Sequence, residues 1–157
     1  MRVTSGRYSP ASWVLVAAAS IWVGLVLAPP LLHHAGWTGA EQAIRFGFRP
    51  ICHQIPARSP ALLGQPIAVC ARCLGLYSGF LIGACFLPCL GGLCRRLEAR
   101  PRLLVLFFVP MFLDLVVWQN TMTSRWLSGA VASFPLALFV RLALEQLPSS
   151  RLLRSHK

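Results

Sequence analysis

Acidic residues are scarce in this chain: 4 Asp and Glu stand against 15 Lys and Arg, and charged residues of both signs make up 12% of the 157 positions. A soluble domain usually carries about 25%. The deficit excludes an ordinary water-facing surface. With 56% hydrophobic residues and a mean hydropathy of +0.64, it makes lipid the main solvent. Also missing are a Walker loop, a dinucleotide glycine fingerprint, an HExxH pair and a nucleophile elbow. The case for an enzyme therefore rests on thiols alone. No repeat with a period of roughly 20 to 50 residues appears, and the length suits one domain. The net charge of +11 does not argue for nucleic acid, because the basic residues border apolar stretches, as topology signals and anionic-lipid contacts do.

What is present are four apolar runs, at about 13–32, 74–93, 103–121 and 126–147. Each approaches the roughly 20 residues a helix needs to cross the bilayer. Unpaired backbone groups are not tolerated in lipid, so the runs predict helices. The expected fold is all-α, a bundle of four transmembrane helices forming one integral membrane domain over 1–157, with an ordered extracytoplasmic loop at 33–70. A cleaved signal peptide is the lesser reading of the first run, which is long and has no clear cleavage site after it.

The basic residues set the orientation. Nine (Arg2, Arg7, Arg95, Arg96, Arg100, Arg102, Arg151, Arg154 and Lys157) fall on one side, and five (Arg45, Arg49, Arg58, Arg72 and Arg125) on the other. The positive-inside rule puts both termini in the cytoplasm of a multi-pass protein of the inner (cytoplasmic) membrane. Trp37, Trp118 and Trp126 then fall at the outer interface as an aromatic belt. Glu41–Phe48 reads as a short interfacial helix with Ala43, Ile44 and Phe48 on its apolar face. The stretch from Pro50 to Pro66 reads as an irregular loop.

The distinctive chemistry lies in that outer loop: Cys52-His53, then sixteen residues later Cys70-Ala71-Arg72-Cys73. Three thiols and one imidazole are the ligand set of a tetrahedral Cys3His centre, and two residues between thiols let both meet one ion. The second pair opens a helix, where the dipole and Arg72 favour thiolate. That favours metal ligation and disulfide exchange alike, so a metal centre, a redox pair and a static disulfide all remain open. Cys85, Cys89 and Cys94 read as small apolar residues, and His33-His34 as solvated interfacial side chains.

Asp114 is the one acid in an otherwise apolar run, where a carboxylate normally faces the bundle interior with a partner. Arg72 and Arg125 are the candidates, for either a structural ion pair or a role near the thiols. Gly75, Gly79 and Gly83 form a small-residue stripe for close helix approach, which also offers a face for a homo-oligomer. Arg141 and Glu145 read as a snorkelling pair.

Ile51-Cys52-His53-Gln54, Arg58-Ser59 and the run Val69-Cys70-Ala71-Arg72-Cys73-Leu74-Gly75-Leu76-Tyr77 with Gly79 resemble the signature of small bacterial membrane proteins grouped as domain of unknown function 2085. Pro110, Asp114, Asn120, Arg125 and Gly129 resemble its second block, with Leu115 where that pattern has Gly. The likeness covers roughly 46–135. It implies that Cys52, His53, Arg58, Cys70, Arg72, Cys73, Tyr77, Asp114 and Arg125 are the positions to test, and it assigns no activity. A weaker resemblance links the chain to disulfide-bond formation protein B and the vitamin K epoxide reductase relatives. Those proteins relay electrons through a further cysteine pair, whereas here Cys52 is the only other outer thiol.

The leading expectation is a metal site of Cys52, His53, Cys70 and Cys73, with zinc first and copper or iron next. Arg58, Arg72, Tyr77, Asp114 and Arg125 would surround it. The alternatives are a quinone-linked thiol-disulfide oxidoreductase using Cys70 and Cys73 with Cys52 resolving, or a transporter or accessory subunit in which the loop is a clamp.

Overall fold

The computed structural model describes residues 10–86, 89, 91–116 and 121–146. Trp118, Asn120 and the terminal basic residues lie outside them, as do the side chains of Arg95 and Glu145. The described chain is helical apart from one loop. Helix α1 runs Pro10–His34 and α2 runs Thr38–Phe48. A 3-10 turn Pro56–Arg58 and a two-stranded hairpin, β1 (Ala61–Leu62) and β2 (Gln65–Pro66), precede α3 (Ala71–Phe86). Then follow α4 (Gly91–Ala99), α5 (Leu104–Val116), α6 (Met122–Ser133) and α7 (Leu136–Gln146).

Among the described residues, two stretches are long and apolar enough to cross a membrane: Ser12–His34, and Met122–Leu144, which takes in α6 and α7. A turn at Phe134-Pro135 separates those two helices, because proline supplies no N–H to continue the ladder. The run begins earlier than expected because Thr121 caps α6, its Oγ accepting from the Ser124 N–H at 3.2 Å. The second expected span is corrected: α3 starts at Ala71, ends at Phe86, and Gly91–Ala99 form a separate helix. Pro88 stands just beyond α3, and helices usually end at or before the residue preceding a proline. With 16 and 13 residues, α3 and α5 are roughly 24 and 20 Å long.

The glycine stripe decides the central contact. A Cβ on Gly75, Gly79 or Gly83 would collide with the backbone carbonyl of Trp126, Ala130 or Phe134 respectively. The two sets share a four-residue spacing, so α3 lies almost backbone to backbone on α6. Gly129 reciprocates: a Cβ there would sit 2.6 Å from the Arg72 carbonyl oxygen. The face expected to offer itself to a second copy is therefore filled by the chain's own α6. The Trp126 indole, expected in an interfacial belt, donates to Ser78 Oγ of α3 at 3.1 Å.

Part of the loop expected to be irregular is a hairpin. Leu63 and Gly64 both have positive φ, 53° and 76°, the conformation a tight two-residue hairpin turn requires. After the hairpin, Ile67, Ala68 and Val69 run in among the helices and are fully buried with Val26, Phe48 and Cys52. Their path follows from one proline in α1. Pro30 cannot donate to the carbonyl four residues back, which leaves Val26 O unpaired within α1. The Ala68 N–H fills that position at 3.1 Å. Non-helical backbone is tolerated at such depth only when buried in protein.

Helix α2 secures the loop from the other side. Glu41 accepts from Arg45 Nε and pairs with His33 Nδ1, each at 2.9 Å, and Arg45 donates onward to the Pro66 carbonyl at 2.7 Å. His33 and His34 are exposed, as expected of solvated side chains, and His34 also reaches the Leu63 carbonyl at 3.4 Å. At the far end of the bundle Cys94 is buried with Leu15, Leu97 and Leu138, as expected of an apolar cysteine.

Candidate functional site

Cys52 follows the end of α2, where Ile51 and Cys52 both donate backbone N–H groups to the Phe48 carbonyl. Cys70 caps the start of α3, and Cys73 sits in its first turn. The buried loop segment carries the first thiol to the other two. The three sulfurs all lie within 4.8 Å of one another. Cys52 is 5% exposed, Cys70 and Cys73 are half-buried, and no cysteine is bridged. The Cys70 N–H donates to Cys52 Sγ at 3.2 Å. Cys70 itself is pushed down to about 5, first by the hydrogen bond donated from the Cys73 thiol and further by the Cys73 backbone N–H, against the opposing effect of burial.

The trio opens into a cavity of about 250 Å³. His53, Ile51 and Ile55 form part of its wall, and three arginines, Arg58, Arg72 and Arg125, complete it. His53 is exposed and stands outside the group of mutually close sulfurs, so the structure assembles three of the four expected ligands and leaves the imidazole at the rim. Tyr77 does not line the cavity. It packs edge-on to Trp22, with ring centres 5.9 Å apart, in the cluster that holds Phe48 and Val26.

Asp114 reaches the site through Arg72. Arg72 Nη2 donates to Asp114 Oδ2 at 2.7 Å, joining α3 to α5, while Asp114 is 1% exposed. Of the two expected partners, Arg72 makes the pair. Among the described residues, Asp114 Oδ1 and Arg125 Nε are buried without a hydrogen-bond partner.

The strut formed by Glu41 was not foreseen, although the Glu41/Arg45 spacing of one helical turn is the signal that could have found it. Arg45, then His33, hold the Glu41 carboxyl below the usual carboxylate range. A depressed acid contributes stability above its unfolded value, near 4.3, and loses it as pH falls through the folded one. We therefore expect acid to loosen the loop near Ile67–Val69 only below about pH 4.3. Glu41→Gln should loosen it at neutral pH, accelerating hydrogen exchange at the Ile67 and Ala68 amides about tenfold, the equivalent of one lost hydrogen bond of about 1.4 kcal/mol. Unchanged exchange in that variant would show that the strut is idle.

A helical bundle with an apolar exterior and three of its cysteines gathered at one end fits a membrane protein, and sequence comparison agrees. Residues 52–139, more than half of the chain, match the family described as "Predicted membrane protein (DUF2085)", and the chain belongs to that family. It is also similar to the uncharacterized protein MJ1492 of Methanocaldococcus jannaschii, 26% identical over 136 residues that cover 81% of this chain and 87% of the relative. No solved structure is significantly similar. The family match begins at Cys52 and includes Cys70, Cys73, Asp114 and Arg125, so the residues that build the cavity lie almost wholly within it.

Proposed function

We propose that Cys52, Cys70 and Cys73 hold a metal ion, zinc first and copper or iron next, on the extracytoplasmic side of a four-span bundle in the cytoplasmic membrane, in a structural, sensing or metal-handling role. The observation that carries this is the convergence of three sulfurs within 4.8 Å on one cavity. Thiolates bound to one tetrahedral zinc at about 2.3 Å stand roughly 3.8 Å apart, so closing the trio takes only a small movement. The fourth position falls to His53 on the cavity wall or to water. The Cys73 thiol donates to Cys70, which suits Cys70 as a thiolate ligand and pushes Cys73 up, so an ion would have to displace the Cys73 proton.

Lipid exposure of α5 supports the four-span reading. Val105, Leu106, Phe108, Phe112, Leu115 and Val116 are all exposed, and large exposed apolar faces mark contact with a partner or a membrane. With the termini cytoplasmic, the cysteines and Arg58 lie outside, and reporter fusions in the loop at 33–70 test that orientation.

Metal analysis of the full chain purified under reducing conditions tests the site. We expect about one ion per chain, lost in Cys70→Ser/Cys73→Ser and bound less tightly in acid as the thiolates are protonated. A chain that takes up no metal when zinc, copper or iron is supplied ends the proposal.

The same proximity favours a second reading, thiol–disulfide exchange. Oxidation of Cys70 and Cys73 to a disulfide releases two protons and two electrons, which a membrane quinone would take up as quinol, with Cys52 able to attack the bond. Alkylation trapping in cells separates the readings, because a metal-bound trio does not change its reduced fraction with the quinone pool.

A further inference from the structure

The cavity has a feature that neither metal binding nor thiol exchange uses. Three guanidinium groups, those of Arg58, Arg72 and Arg125, line a space of about 250 Å³ whose lining residues include no acid. The Asp114 carboxylate answers Arg72 from behind. Among the described residues, Arg58 and Arg125 have no ion-pair partner, and Arg125 Nε is a buried donor with nothing to accept its proton.

Charge counting gives the same sign in either state of the thiols. Without metal, the +2 of Arg58 and Arg125 outweighs the single Cys70 thiolate (2 − 1 = +1). With three thiolates around a dication (2 − 3 = −1), the two arginines still leave +1. Ile51 and Ile55 in the wall lower the local dielectric and so strengthen the field of these charges. A buried charged donor left unmatched is unfavourable, and an incoming acceptor removes that penalty. Guanidinium forks match the paired oxygens of phosphate, sulfate or carboxylate groups.

We propose that this cavity binds a compact oxyanion group through Arg58 and Arg125, beside the thiol cluster. Arg72 is held in place for the same field by Asp114. The volume is below the roughly 300–1,000 Å³ of sites for drug-sized ligands, which restricts the occupant to a small anion or to one anionic headgroup. Phosphate-class chemistry reaches the site from two sources, a free oxyanion in the external medium or the headgroup of an anionic lipid. The inference uses the same cavity as the metal proposal but does not require the metal.

The test uses the full chain in phosphatidylcholine nanodiscs, metal-loaded and after chelator treatment, with inorganic sulfate as the free probe and phosphatidylglycerol as the lipid probe. Sulfate binding is read by calorimetry at constant ionic strength, and lipid retention by native mass spectrometry. We expect one of the two probes to bind the chelated protein, and Arg58→Gln and Arg125→Gln each to weaken that binding at least tenfold. Sulfate binding identifies the free source, and phosphatidylglycerol retention without sulfate binding identifies the lipid. Failure of both probes, or binding that either substitution leaves unchanged, overturns the proposal. So does an anion that binds only the metal-loaded protein, since it would then be a metal ligand. Should Arg125→Gln fail to fold, Arg58→Gln decides alone, because Arg58 is exposed on the 3-10 turn. A chain that binds no metal yet binds the probe through both arginines sinks the metal reading and leaves this one standing.

Discussion

Gly79→Ala should be among the most damaging single-methyl changes in this protein. The added Cβ would meet the Ala130 carbonyl and Cα and the Ser133 hydroxyl, and two of those are backbone atoms that cannot rotate away. Overpacking a well-fitted core costs about 1–3 kcal/mol and occasionally more. Here relief requires moving α3 off α6 along a shared four-residue repeat, so we expect a loss of at least about 3 kcal/mol. Gly75→Ala and Gly83→Ala should follow the same direction. Gly24→Ala in α1 is the matched control, since a Cβ there has nothing within 4 Å. Thermal unfolding of the four variants in one detergent makes the comparison. Equal stability of Gly79→Ala and Gly24→Ala would mean that α3 and α6 are not in contact.

Asp114→Ala is expected to be comparably severe for an electrostatic reason. The carboxylate is 1% exposed and is held 2.7 Å from Arg72. Removing one member of a buried pair costs about 3–5 kcal/mol, and the partly exposed Arg72 places the expected loss at the lower end of that range. The double variant Arg72→Leu/Asp114→Leu removes both charges and fills the space with apolar volume, so it should recover most of the loss. Unfolding measurements on the wild type, each single variant and the double variant complete the cycle. If the double variant loses the sum of the single losses, the two residues do not interact. The pair also places an arginine at the cavity wall, so Asp114→Ala should disturb metal content as well as stability, whereas Gly24→Ala should leave both unchanged.

The sequence made the strongest features readable because they follow from local chemistry. Long charge-free runs predict helices in lipid whatever surrounds them, and α1 and the α6–α7 stretch appear where those runs lie. The short helix over Glu41–Phe48 was legible from its apolar face, and Ile44 and Phe48 do pack inward there. The thiol trio was legible because a CxxC at a helix start and a nearby Cys-His pair have few other reasons to coexist. The boundaries of α3 were not, because its apolar composition continues past the point where the helix stops. The hairpin was hidden because its turn carries Leu63 at positive φ, a residue that gives no turn signal.

By itself, then, the sequence determined the solvent of this protein, its helical character, the three thiols of its cavity and the isolation of Asp114. These depend on residue type and short spacing. The tertiary structure alone decided which partner Asp114 takes, since Arg72 and Arg125 are equivalent in composition and only the register of α3 against α5 selects one. It also decided that the glycine stripe is used within the chain, because a small-residue face is complementary to any close helix and only topology says which. Above all it decided that Cys52 meets Cys70 and Cys73. That meeting depends on Pro30 withholding one N–H in α1, so that the Val26 carbonyl can capture Ala68 and draw the loop inward.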